Sequence, residues 1–276
     1  MSPVVGALPR GPERGRPADP GLFGPDSLAW RVNGEVVLLL GAGRALLMQL
    51  AHPAVSRAVA EHSGFPQNAF DRLFQTMDTM LAITFGDTEQ SRAAAARVNG
   101  LHERVHGASY DALDPKLLLW VHATLVDSAL TVHDRFVGGL SPSDRERYYR
   151  DMKRQAAVLR VPSSILPGNL GEFDRYVRKR VARLEVTDDA RRLARDILRP
   201  PLPLPLRPVG AAFGLVTASL LPDRLREGYG LPRIPPVDLG LTAAAAVSRR
   251  ILPLVPRVLR TWPGVTAARR RAASGV

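Results

Sequence analysis

The stretch Asp114-Pro115-Lys116-Leu117-Leu118-Leu119-Trp120-Val121-His122-Ala123-Thr124-Leu125-Val126-Asp127-Ser128-Ala129-Leu130 decides the fold. Asp114 is a strong N-cap. Pro115 suits the first helical position, where its missing N–H would have had no partner. The spacing predicts a helix from Pro115 through Trp120 and Leu130 towards Val137. Within it His122 has Leu118, Leu119, Leu125, Val126 and Ala129 as helical neighbours, so it is expected to be largely buried. A buried imidazole needs a hydrogen-bond partner. It reads either as a core residue or as support for a cofactor held nearby.

Helix signals continue on both sides. Glu35–Ala51 reads as a buried helix ended by His52-Pro53, because the residue before proline resists helical geometry. Asn68 to Phe85 has helical spacing and stops at Gly86. Asp87 can cap a helix that runs through the alanines at 93–96 to His106 and stops at Gly107. Ser141-Pro142-Ser143-Asp144 resembles a capping box opening a helix to about Leu159. Further helices are predicted over Leu170–Leu184, Thr187–Leu198, Val209–Leu221 and, past a Pro-rich turn at 232–236, Leu241–Leu259. Prolines 200, 201, 203, 205 and 208 mark an extended connector. β-Branched alternation never persists, and no internal repeat is found. The expected fold class is all-α: a disordered Pro/Arg-rich arm over 1–22, one multi-helix domain over 23–232, and a basic, partly helical tail over 233–276.

Composition narrows the function. With 276 residues and 45% apolar content the chain can bury a substantial core. No cysteine is present, so disulfides, thiolate zinc sites and iron–sulfur ligation are excluded. The net charge is +12, and from Leu239 onward there is no acidic residue against seven arginines. That tail lacks interleaved aromatics or a DNA-reading motif, so no nucleic-acid partner is expected. A weak contact with anionic membrane through the tail stays open. Neither an export signal nor a run approaching the roughly 20 apolar residues of a membrane span is seen, so the expected location is cytoplasmic.

Two constellations carry chemistry. His102-Glu103-Arg104-Val105-His106 matches the H-E-x-x-H pattern, in which two histidines one helical turn apart hold zinc and the glutamate acts as base. A third ligand is not evident: positions 109 and 112, where the longer motif needs glycine and histidine more distally, are Ser109 and Ala112. The same face of that helix carries Ala95, Val98, Asn99 and Val105. Such small and apolar residues would let a flat group approach, and haem iron needs only one protein ligand. The second constellation is Arg72 and Thr76, one turn apart, with Met80 and Ile83 extending the face. It suits a pocket where an apolar substrate meets a small polar centre, or simply an amphipathic helix edge. His52 and His62 read as structural or loop residues, and His133 as exposed.

Several motifs in order carry a resemblance. They are Phe23-Gly24-Pro25-Asp26-Ser27, Gly43-Arg44-Ala45-Leu46-Leu47-Met48-Gln49 leading to His52-Pro53, and His62-Ser63. Next come Arg72-x-x-x-Thr76, Phe85-Gly86-Asp87, His102-x-x-Val105-x-Gly107 and Tyr110-x-Ala112-x-Asp114-Pro115 leading to Trp120-Val121-His122. From about Leu22 to Pro232 the chain resembles the haem-dependent oxygenases that include bacterial rubber oxygenases (latex clearing proteins) and MpaB-type oxygenases.

The resemblance implies a globin-like helical core binding haem b. His102 would be the proximal iron ligand, Arg72 and Thr76 would lie across the haem where O2 and substrate meet, and His122 would support the cofactor. The implied activity is oxygenation of a small apolar alkene, isoprenoid in characterised relatives, with an unidentified electron donor. Some rubber oxygenases carry a lysine just before the threonine that can cap the iron; here Gln75 stands there, which leaves the sixth iron ligand open. A non-catalytic haem sensor or carrier, and a zinc hydrolase through His102, Glu103 and His106, are the alternatives.

Overall fold

The computed structural model describes residues 19–62, 69–199 and 202–273. The expected arm at 1–22 falls mostly outside them, although Asp19 accepts from the Thr88 backbone N–H and hydroxyl, and Phe23 is fully buried. The chain opens with α1 (Leu28–Asn33), capped by the Ser27 hydroxyl. A 3-10 turn over Val36–Leu39 leads into α2 (Leu40–Leu50). His52-Pro53 then breaks the chain into α3 (Pro53–His62). After it come α4 (Ala69–Phe85) and α5 (Thr88–His102), the latter opened by a reciprocal capping box between Asp87 and Gln90.

A short antiparallel hairpin follows, β1 (His106–Gly107) and β2 (Tyr110–Asp111), with His106 facing Asp111. It precedes α6 (Pro115–Val132), capped by Asp114 with proline in the first turn. Leu117, Trp120, His122, Val126 and Leu130 are all buried, and they lie around the whole circumference, so α6 is an inner helix. It widens into a π-turn over His133–Val137 that stops at Gly138, whose φ of 123° only glycine adopts easily. The expected run towards Val137 is therefore present in looser form.

The remaining elements cover this centre. They are α7 (Pro142–Val158), α8 (Leu170–Val181) and α9 (Asp188–Leu198), then α10 (Arg207–Leu220) and α11 (Asp223–Gly228). Last come α12 (Pro235–Ile251), α13 (Arg257–Arg260) and α14 (Pro263–Ala273). On α9 the buried residues are Ala190, Leu193, Ala194 and Ile197, the spacing of a helix with one apolar stripe. α2 packs against α6, α9 and α10, while α4 packs along α5. Trp120 is fully buried and donates from Nε1 to the Met48 carbonyl at 3.2 Å, locking α6 to α2. The fold is all-α, with the two-residue strands as its whole sheet content among the described residues. No single helix among these residues is long and apolar enough to cross a membrane.

Three expectations need correcting. The helix expected to run to His106 ends at His102, because the next residues turn into the hairpin. Tyr110 anchors that hairpin by donating to the Glu61 carboxylate on α3. The helix expected over Leu241–Leu259 spans Pro235–Ile251 instead: prolines are tolerated in a first turn, whereas Pro253 and Pro256 cannot continue a helix. His133, expected to be exposed, is buried where the π-turn meets its neighbours.

The tail folds back onto the domain. Thr261 bridges Glu35, the Trp262 N–H donates to the Gly34 carbonyl at 3.1 Å, and Arg260 pairs with Glu35 at 3.6 Å. Val265 and Ala268 of α14 join the same core as Trp30 and Phe85.

Candidate active site

A cavity of about 250 Å³ opens among α2, α4, α6 and α7. α4 contributes Thr76, Met77, Met80, Leu81 and Thr84, the repeating pairs of one helical face. Trp262 closes part of the wall from the C-terminal segment. Most of the lining is aliphatic, and most of the polar groups on it are engaged with protein. Gln49 donates to the Thr124 hydroxyl at 3.1 Å, and Tyr148 donates to Asn33 Oδ1 at 2.9 Å. The Thr84 hydroxyl donates to the Met80 carbonyl at 2.7 Å and accepts from Gln155 at 3.4 Å. Burial, reinforced by the Asp151 charge, pushes the Tyr148 phenol well above its ordinary range, so it stays neutral. Such a chamber favours an apolar occupant.

Thr76 thus borders the cavity, with Met80 a turn further on, as its place on the α4 face implied. Ile83 does not: it is fully buried on the other side, packed with Ala94 and Ala95 of α5 and with Leu159. Arg72 lies on α4, but its side chain, like that of Gln75, falls outside the described residues.

His102 is the last residue of α5. Its Nδ1 is buried without a hydrogen-bond partner, and burial holds the ring below its ordinary pKa, hence neutral. It is not among the residues bordering the cavity. The face expected to admit a flat group is filled by protein one turn back. Ala95 packs on α4, and Asn99 donates to the Val158 carbonyl at 3.0 Å.

The zinc geometry is not met. Glu103 is the residue that closes α5 and pairs with Arg160 at 2.6 Å. His106 sits in β1, exposed, with its carbonyl 3.3 Å from His62 Nε2. The two histidines therefore do not share a helical face. Among the described residues no group of three His, Cys, Asp or Glu side chains could hold a metal ion. A haem is a different case, because the porphyrin supplies four of its ligands and one imidazole suffices from the protein. The donor chemistry at His102, a neutral ring with an orphaned buried nitrogen, fits that need.

His122 is almost fully buried, as expected, yet it does not border the cavity. Neither ring nitrogen makes a hydrogen bond of good geometry, although the Met152 backbone faces the ring. Burial pulls its pKa down to about 4. His52 bridges helices: Arg180 donates from Nη2 to its Nε2 at 2.7 Å, and the Ala54 N–H faces its Nδ1 at 3.3 Å. Burial first, and the Arg180 charge second, bring its pKa down to about 4.

In the sequence Arg44 stands out only as a member of the Gly43–Gln49 motif, with no partner indicated. In the structure its guanidinium is buried beside the cavity wall and fully used. Nε donates to the Leu220 carbonyl and Nη1 to the Ser128 hydroxyl, both at 2.8 Å, while Nη2 pairs with Asp127 at 2.6 Å. A charged residue inside an apolar helix demands such a partner, and Asp127 on the equally apolar α6 was the available signal.

Comparison with known proteins agrees with the motif order. Residues 30–251 match the family described as ER-bound oxygenase mpaB/B'/rubber oxygenase, catalytic domain. Uncharacterized proteins of Mycobacterium tuberculosis and Mycobacterium bovis are each 32% identical over 190 residues, covering 64% of this chain and 74% of theirs. No solved structure matches significantly. The family match covers most of the chain, and the protein belongs to the mpaB/rubber oxygenase catalytic-domain family.

Proposed function

We propose that the protein is a haem b-dependent oxygenase acting with O2 on a small apolar alkene, isoprenoid or similar. The cavity carries this reading: a mainly aliphatic chamber with the Thr76 hydroxyl on its α4 edge, in a chain of an oxygenase family. His102 would hold the iron, and Arg72 and Thr76 would face the reacting atoms. Haem, when bound, supplies the redox chemistry that lets O2 react with a double bond.

The protein's own contributions are simpler. Met77, Met80 and Leu81 give the substrate an apolar bed and exclude water. Thr76 presents a hydroxyl that can accept or pass a proton at Oγ1. Arg72 brings a fixed positive charge to the same helix, one turn earlier, where it would stabilise developing negative charge. His122 would lie behind the cofactor as packing that stays neutral at ordinary pH.

Visible absorption of the purified protein tests the proposal. A Soret band with one haem per chain is expected, lost in His102→Ala and kept in Arg72→Ala. Oxygen uptake with terpenoid alkenes, impaired by Arg72→Ala, separates an enzyme from a haem carrier. A colourless protein that does not take up added haem overturns the reading.

A further inference from the structure

The segment from α12 to α13 has two unlike sides. Inward, Ala245 packs with Val132, Phe136 and Leu220, and the Ser248 hydroxyl donates to the Phe136 carbonyl at 2.8 Å. Outward, Leu239, Val247 and Arg250 fall on one helical face with Ala243 between them, and all four are exposed. Past Ile251, Pro253 and Pro256 fold the chain into short turns that hold its aliphatic side chains in solvent. Leu254 is 81% exposed and Leu259 is 73% exposed, with Val258 beside it at 62%. Soluble surfaces carry scattered apolar residues, but several large ones exposed within one short segment mark an interaction site.

Charge identifies the partner. Arg249, Arg250 and Arg257 are exposed among these aliphatic side chains, and no acidic residue occurs from Leu239 to the end of the sequence. A second copy of the same face is disfavoured, because a two-fold contact would set these arginines against their own kind. An anionic bilayer satisfies both features: aliphatic side chains enter the acyl boundary while guanidinium groups stay among the phosphates.

We propose that the outer face of α12, together with the turns through Leu254 and Leu259, docks on an anionic lipid surface. The docked segment continues directly into Trp262 on the cavity wall, so membrane contact would place that wall near a reservoir of apolar molecules. The proposal concerns the surface alone and does not depend on the cofactor.

Vesicle cosedimentation of the full chain tests it, using phosphatidylcholine vesicles with and without phosphatidylglycerol. Binding to the anionic vesicles, weakened by added salt, is expected. Leu254→Glu/Leu259→Glu should abolish it. Arg249→Gln/Arg250→Gln/Arg257→Gln should weaken it by roughly a hundredfold, about a factor of five for each charge removed. Arg183→Gln/Arg195→Gln, equal in kind but on exposed sites elsewhere, should bind like the parent, and circular dichroism confirms that each variant is folded. No binding to anionic vesicles, or equal binding by all variants, overturns the proposal. So does a dimer in solution that the Leu254/Leu259 variant disperses, since the face would then serve a second copy.

Discussion

The buried Arg44 guanidinium meets the Asp127 carboxylate at 2.6 Å and joins α2 to α6 at the edge of the cavity. Every nitrogen of Arg44 is used, and the ion pair is flanked by bonds to Ser128 and to the Leu220 carbonyl at the end of α10. Removing either partner leaves the other uncompensated in a place poor in water. Arg44→Ala should therefore cost about 3–5 kcal/mol, measured by chemical denaturation. Asp127→Asn, which keeps an acceptor, should cost less. Equal and negligible effects would mean that water replaces the pair.

Gly43, the neighbour of Arg44, is held by close approach of α10. A Cβ there would lie 2.3 Å from the Thr217 hydroxyl and 2.9 Å from the Phe213 ring. Gly43→Ala should force α2 and α10 apart at a cost of about 1–3 kcal/mol, in spite of alanine's better helix propensity. A stabilised variant would show that the two helices separate freely.

Glu103 and His106 test what the pentapeptide is for. The Glu103–Arg160 pair is half exposed on both sides, so Glu103→Ala should change stability by less than about 1 kcal/mol. His106→Ala should likewise leave the fold and any haem content intact, since only the His106 backbone is engaged. Loss of bound zinc in both histidine variants, measured by elemental analysis, would restore the metallohydrolase alternative.

Acid should destabilise the protein through its histidines. His52 and His122 have folded pKa values of about 4 against an ordinary 6.5, and burial lowers those of His102 and His133 as well. A depressed histidine pKa means that the unfolded chain binds the proton more readily. The stabilising contribution is complete above about pH 6.5 and fades as pH falls towards 4. Urea midpoints should drop across that window, and His122→Gln should flatten the fall.

Trp262 closes part of the cavity from a segment whose backbone is already pinned to Gly34 and Glu35. Trp262→Ala should leave that pinning in place, cost about 2 kcal/mol and admit an apolar fluorescent dye. An unchanged dye signal would place the entrance elsewhere.

Capping was the most legible part of the structure, because it is local. Asp87, Asp114 and Ser141 each accept a backbone N–H at the start of the helix they were expected to open. Terminations set by distant contacts were not legible. Nothing near His106 reveals that Tyr110 will be drawn to Glu61 on α3 and curl the chain into a hairpin. Likewise Pro235 and Pro236 looked like a break, although they begin α12. The burial of His133 depends on a π-turn that no periodicity announces. For the site, helical spacing placed Thr76 and Met80 together but misplaced Ile83 by one step around α4. A face read from spacing alone is uncertain by about that much.

The return of α14 to the core has a consequence for where this protein can be cut. Similarity to the family runs out at residue 251, yet Val265 and Ala268 are buried beside Trp30 and Phe85, and Arg271 donates to the Phe85 carbonyl at 2.6 Å. A chain shortened to Ile251 would both uncover that seam and take Trp262 from the cavity wall. The smallest cooperative unit is therefore longer than the shared sequence, and its last two turns seal the same helices that open it.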